Sequence, residues 1–309
     1  MAELSGYQAQ IELPHEQEFE LYHNALSLCS MKSRLCLAEL DIPYKSHHID
    51  LIETGCYENI RPAFKRVNPA RTVPVLVHNG HPVYESHEQI RYAAGHAPSN
   101  TARLVPDDPQ LREEMERWVD LASLIGDPIK EPNRTAGNAV PGQTLPLFAT
   151  MIEKIPYRNI FEGFLRHFDK RRPLMFTVMK LMGVKALVNV ELLGATLAAS
   201  RRHLHIHLDA LEEQLVSSGG PWILGKQYTL ADVSWLVIFE RLRQADSIQV
   251  FCNSDVHSLC AQYWQRLTAR PAYTAAILEH SHPLIDYGSR RIQEIKAGDE
   301  AMRVLLEGR

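Results

Sequence analysis

Apolar and polar positions over residues 19–97 follow the pattern of a small α/β domain. Strand-like alternation and helical patterns succeed each other at 19–23 (strand), 27–40 (helix), 44–51 (strand), 57–67 (helix), 73–77 (strand), 81–84 (strand) and from 86 onward (helix). Asn79 and Gly80, between the last two strand patterns, predict a hairpin. Ser86, with Gln89 three residues later, has the sequence of a capping box at a helix start. We therefore expect the order βαβαββα, preceded by a loose leader over residues 1–18.

Only helical patterns follow this unit. Three prolines with Ser99 and Asn100 predict a linker within 95–110, and we expect two domains, 19–97 and 108–309. The second domain is expected to be all-helical, with an insertion at about 130–200. Thr229 and Asp232 have capping-box spacing at a helix start. The other expected segments are a helix at 111–125, irregular chain at 128–146, one or two helices within 147–200, and closing helices at 256–267, 272–279 and 288–307.

The charge balance gives no reason to expect nucleic-acid binding, since 33 basic and 37 acidic residues leave a net charge of −4. Five cysteines, odd in number and without paired spacing, favour free thiols in a reducing compartment, and the acidic N-terminus lacks a signal-peptide pattern. Residues 174–199 are the most apolar stretch, but Lys180, Lys185 and Glu191 interrupt it, which favours a buried or amphipathic helix over a membrane span. We therefore expect a cytoplasmic protein without an integral membrane span.

Cys29 directly follows the first strand pattern, at the start of the first helix. Unpaired N–H groups and the helix dipole stabilise an anion there, and Lys32 and Arg34 add positive charge unless Arg34 faces the core or a partner subunit. This position predicts an acidic thiol, although a small packing residue fits it equally well. Cys36 lies about 10 Å further along the helix, too far for a disulfide, so a redox cycle on Cys29 needs an external thiol.

Two further features fit an extended ligand with an amino-acid head group. Pro74, at the mouth of an apolar strand, leaves the N–H and C=O of Val73 for a peptide ligand if its peptide bond is cis, whereas an edge-strand proline is the commoner case. Ser86 begins a helix whose N–H groups suit a carboxylate, and Glu85 suits an amine. Taken alone, Glu85 and Ser86 also fit an ordinary capping box at a helix start.

Taken together, these motifs resemble the glutathione S-transferase superfamily. The run from Asn68 to Leu76 resembles its Asn-Pro-x-Gly-x-Val-Pro-Val-Leu motif with Arg71 in place of glycine, Glu85-Ser86 its γ-glutamyl-binding pair, and the run from Gly225 to Val233 the capping-box motif of its helical domain. The resemblance implies a thioredoxin-like domain followed by an all-α domain, glutathione as co-substrate, and a homodimer. It also implies that Thr72, Val73, Pro74, Glu85 and Ser86 bind glutathione.

Within the superfamily, the segment around Cys29 is most similar to the zeta-like tetrachlorohydroquinone reductive dehalogenases. The resemblance implies that Cys29 attacks a glutathione-linked intermediate and forms a mixed disulfide, with Ser30 holding the glutathione thiolate. The zeta isomerase pattern Ser-Ser-Cys would instead assign catalysis to Ser27, but its middle serine is Leu28 here. The second substrate is expected to be a small electrophile, and no metal is expected at this site.

Two alternatives remain open: ordinary serine-type conjugation or isomerisation, and a non-catalytic protein whose insertion docks a partner. The insertion resembles ganglioside-induced differentiation-associated proteins in its placement. Residues 150–202 carry ten basic against four acidic side chains, which suits an anionic partner or lipid surface, although a solvated face is the commoner explanation. His203 and His207 have zinc-ligand spacing, but no cysteine or carboxylate cluster accompanies them.

Overall fold

The computed structural model describes residues 4–99, 101, 103–128, 130–167 and 169–308. Asn100 of the predicted linker and Arg309 at the predicted end of the second domain lie outside these residues. The N-terminal part has a five-stranded mixed sheet in the order β1-β5-β4-β2-β3. Its strands are β1 Gly6–Tyr7, β2 Phe19–His23, β3 Lys45–His48, β4 Val75–His78 and β5 His81–Tyr84.

The sheet has the predicted connections. β2 is parallel to β3, because the first helix, α1 Leu28–Glu39, crosses over between them. β4 and β5 form an antiparallel hairpin at Asn79 and Gly80, both of which have positive φ angles, 49° and 83°. α2 Pro62–Val67 and α3 Ser86–Gly95 complete the βαβαββα unit.

From residue 4 onward, where the structure describes it, the leader is not loose, contrary to the sequence prediction. Gly6 and Tyr7 pair with Tyr84 and Val83 and add a fifth strand at the sheet edge. Further along the leader, the Leu13 N–H donates to the Gly80 carbonyl at 2.7 Å and the Leu13 side chain is buried. A two-residue strand is too short to produce an alternating pattern, so periodicity could not have revealed it.

The C-terminal part is helical. Its helices are α4 Pro109–Leu121, α5 Ala136–Gln143, α6 Leu145–Met151, α7 Tyr157–Arg166, α8 Arg171–Met182, α9 Ala186–Asn189, α10 Glu191–Ser218, α11 Leu230–Gln244, α12 Ile248–Phe251, α13 Ser258–Thr268, α14 Pro271–Tyr273, α15 Pro283–Gly298 and α16 Glu300–Glu307. A π-helical turn, Thr274–Leu278, follows α14. Of the described helices, none has the length and apolar composition of a membrane span by itself; Arg171–Asn189 and α10 reach it only together, across a 64° bend.

The segment 128–146 was expected to be irregular, and this prediction was wrong. Thr135 caps α5 by accepting the Asn138 N–H at 2.9 Å, and apolar side chains of α5 then pack in the core despite Pro141 inside the helix. A Cβ at Gly142 would meet the Ser200 Cβ at 2.4 Å, so glycine permits the close packing of α5 on α10. This tertiary packing outweighs the loop-like composition.

Residues 147–200 hold more helices than the one or two expected. Pro156 and Pro173 led to that prediction, but Pro156 occupies the cap position of α7 and Pro173 the first turn of α8, where proline is tolerated. α10 then continues for 28 residues, and Gly219, with a left-handed φ of 61°, ends it.

Two apolar clusters hold the molecule together. The larger one combines the sheet and α1 with α4, α5 and α11, and includes Trp118 and Trp235. The second packs residues 25–60 of the N-terminal part against the insertion helices, with Tyr57, Ile160 and Phe176 fully or almost fully buried. The start of α1 therefore lies where the two parts of the chain meet.

The predicted capping box at Thr229 is confirmed. The buried carboxylate of Asp232 accepts from the Thr229 N–H (2.8 Å), the Ile223 N–H (3.1 Å) and the Tyr263 hydroxyl (2.7 Å). Burial raises the pKa of Asp232 to about 6, while these donors oppose the rise. One carboxylate thus joins α11, α13 and the turn before α11.

Asp232→Ala removes the acceptor for these three buried donors. We expect the free energy of unfolding to fall by roughly 3–5 kcal/mol, measured by urea denaturation. The exposed Asp255→Ala is the control and should change it by less than about 0.5 kcal/mol. Equal stability of the two variants would show that the network does not stabilise the fold.

Candidate functional site

Cys29 is the second residue of α1, as the sequence predicts. Ser27 is the N-cap of this helix, and its Oγ accepts the Ser30 N–H at 3.2 Å. Both Ser27 and Cys29 are partly exposed, whereas Ser30 is fully buried. The first helical turn therefore presents Ser27 and Cys29 to the outside of the N-terminal part.

Ser30, which the resemblance implies as the ligand of the glutathione thiolate, is completely buried. Its Oγ accepts the backbone N–H of Asn24 at 3.2 Å inside the N-terminal part. A hydroxyl in this position braces the loop between β2 and α1. The geometry therefore argues against Ser30 as a direct ligand of a glutathione thiolate.

Asn24 holds the loop that leads to Cys29, and sequence reasoning missed it. Its side-chain amide donates to the Ile49 carbonyl (2.8 Å) and to Thr54 Oγ1 (2.9 Å), and its Oδ1 accepts the Leu26 N–H (2.9 Å). Asn24 is completely buried. A buried amide satisfied in this way fixes one loop conformation.

Cys29 and Ser86 come together although 57 positions separate them in the sequence. The charge of Lys32 and the Ser86 side chain both lower the pKa of the Cys29 thiol. Burial is nevertheless the largest influence and raises the pKa of Cys29 above its ordinary value. Burial thus opposes the acidic thiol that the sequence predicts, because the position at a helix start does not reveal the apolar surroundings.

The two cations near Cys29 in sequence have different positions. Arg34 is buried and faces the core: its Nε donates to the Ala276 carbonyl (2.8 Å) and its Nη1 to the Asn24 carbonyl (3.0 Å). Lys32 lines a small cavity together with Cys29. Of these two cations, only Lys32 therefore lies beside Cys29 in the candidate site.

The walls of this cavity are apolar and come from both parts of the chain: they are Leu28, Ala122, Leu124, Gly137, Val237 and Ile238. Buried Arg241 adjoins the same region, donating to the Leu26 carbonyl and, at 3.4 Å, to Thr144 Oγ1. The Arg241 guanidinium also interacts electrostatically with Cys29. Arg241 lies more than 200 positions after Cys29 in the chain, so no local sequence pattern could have indicated this contact.

The Val73–Pro74 peptide bond is cis. Val73 precedes β4, is partly exposed, and its N–H and C=O have no hydrogen-bond partner in the parts of the chain that the structure covers. Asn68 steadies the loop by donating to the carbonyl (2.8 Å) and hydroxyl (3.1 Å) of Thr72. An exposed backbone edge for an extended ligand is thus present.

Arg71 has a φ of 62°, in the left-handed region. Glycine adopts this conformation without steric cost, whereas a side chain at this position is strained. Arg71 therefore adopts, at a steric cost, a conformation that glycine would adopt freely.

Glu85 and Ser86 lie next to this edge. Glu85 is exposed with a φ of 62°, and Ser86 is the first residue of α3. The capping box predicted for Ser86 and Gln89 is absent: Gln89 instead accepts the Ser33 hydroxyl (2.6 Å) and donates to the carbonyls of Pro74 (3.0 Å) and Val83 (2.9 Å). Gln89 therefore joins the cis-proline loop, β5 and α1 in one buried network.

The basic region uses several of its charges inside the molecule. Arg172 pairs with buried Glu53 at 2.5 Å, and Arg201 donates to the carbonyls of Leu305 and Leu306 at 2.9 Å.

His207 is buried against the Asn133 carbonyl. Within the described residues, no three His, Cys, Asp or Glu side chains form a group able to hold a metal ion.

Comparisons with known proteins agree with this geometry. Residues 26–95 match the family model "Glutathione S-transferase, N-terminal domain", and residues 195–275 match "Glutathione S-transferase, C-terminal domain". The chain is 26% identical to glutathione S-transferase TCHQD of Arabidopsis thaliana, over 84% of the chain and 89% of the relative. It is 24% identical to a tetrachloro-p-hydroquinone reductive dehalogenase of Sphingobium chlorophenolicum, over 84% of the chain and 95% of the relative.

Solved structures share the fold. The β-etherase LigF from Sphingobium sp. strain SYK-6 superimposes with a TM-score of 0.68 at 20% identity, covering 85% of this chain and all of LigF. Glutathione transferase F2 from Populus trichocarpa has a TM-score of 0.57 at 17% identity, covering 85% of this chain and 98% of the transferase. With the two domain models matched in order along a thioredoxin-like and an all-helical part, the chain belongs to the glutathione S-transferase superfamily.

Proposed function

We propose that the protein is a glutathione-dependent transferase that acts on a small electrophile through a mixed disulfide on Cys29, by thiol transfer or reductive dehalogenation. One observation carries the proposal: a partly exposed cysteine at a helix start lines a cavity between the two parts of the chain, and the Ser86 side chain is close enough to lower the pKa of its thiol. The names of two relatives, TCHQD and the reductive dehalogenase, support the same class of reaction.

Glutathione would lie along the edge from Val73 to Ser86. The backbone of Val73, beside Thr72 and Pro74, suits the cysteinyl peptide unit, because extended ligands pair with free strand edges. The first turn of α3 at Ser86 suits the γ-glutamyl carboxylate, and Glu85 suits its amine. This placement brings the glutathione sulfur toward the first turn of α1.

In the proposed cycle, the glutathione sulfur first displaces a leaving group from a carbon of the substrate, which is a halide ion in the case of dehalogenation, and a carbon–sulfur bond forms. The Cys29 sulfur then attacks the glutathionyl sulfur, a disulfide forms, and the carbon–sulfur bond breaks to release the reduced product. A second glutathione regenerates Cys29 by thiol–disulfide exchange. Ser27, which is partly exposed at the helix cap, is the better-placed hydroxyl for the glutathione thiolate, since Ser30 is buried.

A non-catalytic role is the second candidate. α7 exposes Tyr157, Phe161 and Leu165 at four-residue spacing, which is one stripe of a helix, and Arg158 and Arg166 on the same helix are also exposed. An apolar and basic helix face suits a partner surface. Glutathione binding without a Cys29 adduct would favour this candidate.

Ser86→Ala should weaken glutathione binding by roughly 10–100-fold, measured by calorimetry, because a hydrogen bond to a carboxylate is lost. Ser217→Ala, at an exposed position of α10, is the matched control and should bind like the wild type. Equal affinity of both variants, or no binding by the wild type, would contradict the proposed site.

Treatment with oxidised glutathione should place a glutathione adduct on Cys29, detected by peptide mass spectrometry. Cys29→Ser should abolish the adduct and stop turnover at the glutathione conjugate, whereas Cys56→Ser, at the other partly exposed cysteine, should do neither. Full thiol-transfer activity in Cys29→Ser would reassign catalysis to Ser27 in an ordinary conjugation.

The proposal includes a homodimer in the cytoplasm, in which the first domain of each subunit contacts the second domain of the other. Family resemblance supports the assembly, and five free cysteines support a reducing compartment. Light scattering at micromolar concentration should give about twice the 35.1 kDa of one chain. A mass equal to one chain would refute the dimer.

A further inference from the structure

Lys32 is buried in α1, with only 2% of its surface exposed. Its Nζ donates to Ser123 Oγ at 2.8 Å, and Ser123 Oγ in turn donates to the Val119 carbonyl at 2.6 Å. Across the described chain, no carboxylate lies within 4.0 Å of Nζ. A buried ammonium that has only a neutral hydroxyl as partner is costly, because its desolvation is not offset by an opposite charge.

The nearest acidic side chain is already engaged. Asp120 interacts with Lys32 at longer range, but it accepts from Arg91 Nη2 at 2.8 Å. Arg91 itself raises the cost of a charge on Lys32, and partly buried His87 faces the same region without supplying an anion. Neither neighbouring helix therefore offers Lys32 a free counter-ion.

Cys29 is the remaining ionisable partner. It lies three residues before Lys32, so both side chains occupy one face of α1 about one turn apart. Both line the same narrow cavity, which is about the size that one water molecule fills. A Cβ at Gly137 would meet the Ser123 carbonyl at 2.4 Å, so glycine allows Ser123 to approach and hold Lys32 here. The geometry supports proton exchange between thiol and amine through a single water.

The electrostatics of the pair agree with this geometry. Burial lowers the pKa of Lys32 to about 8 and raises the pKa of Cys29, so each group alone is driven toward its neutral form. Each also favours the charged form of the other. Transfer of one proton thus turns two isolated neutral groups into an ion pair without changing the net charge of the cavity.

We propose that Lys32, in its neutral amine form, accepts the proton of the Cys29 thiol in the mixed-disulfide step and then donates it to the released product. The proposal rests on the proposed function. The Cys29 sulfur loses its proton to Lys32 Nζ and forms the bond to the glutathionyl sulfur. The carbon–sulfur bond of the conjugate breaks, its electron pair stays with carbon, and that carbon takes the proton from Lys32. The substrate carbon is reduced and the two sulfurs are oxidised to the disulfide.

The test is the pH profile of Cys29 alkylation by iodoacetamide, read by peptide mass spectrometry from about pH 6 to about pH 12. Lys32→Met should move the midpoint upward by about one to two pH units, because the thiolate loses its nearby cation. Lys65→Met, which removes an exposed lysine on α2, should leave the midpoint unchanged. Lys32→Gln, which keeps a donor for Ser123, should shift it like Lys32→Met, and an unshifted midpoint in either folded variant would overturn the proposal.

If neither Lys32 variant folds, the proposal is tested by measuring the effect of Cys29 on Lys32 instead. The titration of Lys32 is followed by NMR of isotope-labelled lysine in the wild type and in Cys29→Ser. Because coupling between two sites is mutual, the Lys32 midpoint should fall when the thiol is removed, and an unchanged midpoint would overturn the proposal. Neither readout needs glutathione, so a failure here is distinct from the absence of a glutathione adduct, which would overturn the proposed function itself.

Discussion

Three buried cations fix the first helix and the loop before it against the C-terminal helices. Lys32 donates to Ser123, Arg34 to the carbonyl of Ala276, and Arg241 to the carbonyl of Leu26. Each bond crosses between the two parts of the chain, and each side chain is at most 3% exposed. Because breaking such a contact leaves a charge stranded in the interior, the start of α1 has essentially one permitted position. The placement of Cys29 depends on that constraint.

The same constraint explains the chemistry of Cys29. A free helix start would favour the thiolate, but here helices from both parts enclose it in apolar walls. Desolvation therefore outweighs the dipole and the nearby charges. Ionisation of the Cys29 sulfur is therefore unfavourable unless a positive charge, such as that of Lys32, lies in the same cavity. Reactivity in this site is thus a property of the assembled two-part interface and not of the helix alone.

Short-range signals in the sequence predicted much of the fold and part of the site. The hairpin at Asn79 and Gly80, the capping box at Thr229, and the helix beginning after Ser27 all follow from interactions within a few residues. The site residues that could not be predicted from the sequence make contacts with residues far away along the chain. Asn24, Gln89 and Arg241 act on residues far along the chain, and their types alone carry no such information. The helix at Ala136–Gln143 was missed because packing on α10, rather than propensity, stabilises it.

Helix α10 connects the two apolar clusters of the molecule. At 28 residues it is about 42 Å long, and Leu193 and Leu197 in its first turns belong to the same apolar cluster as α7 and α8. Its later turns, from Leu204 onward, belong to the other apolar cluster, and α5 lies along it. A continuous helix is stiff along its axis, so α10 links the two apolar clusters rigidly. A displacement of the first turns of α10 would therefore also move α5, whose Gly137 forms part of the wall beside Cys29.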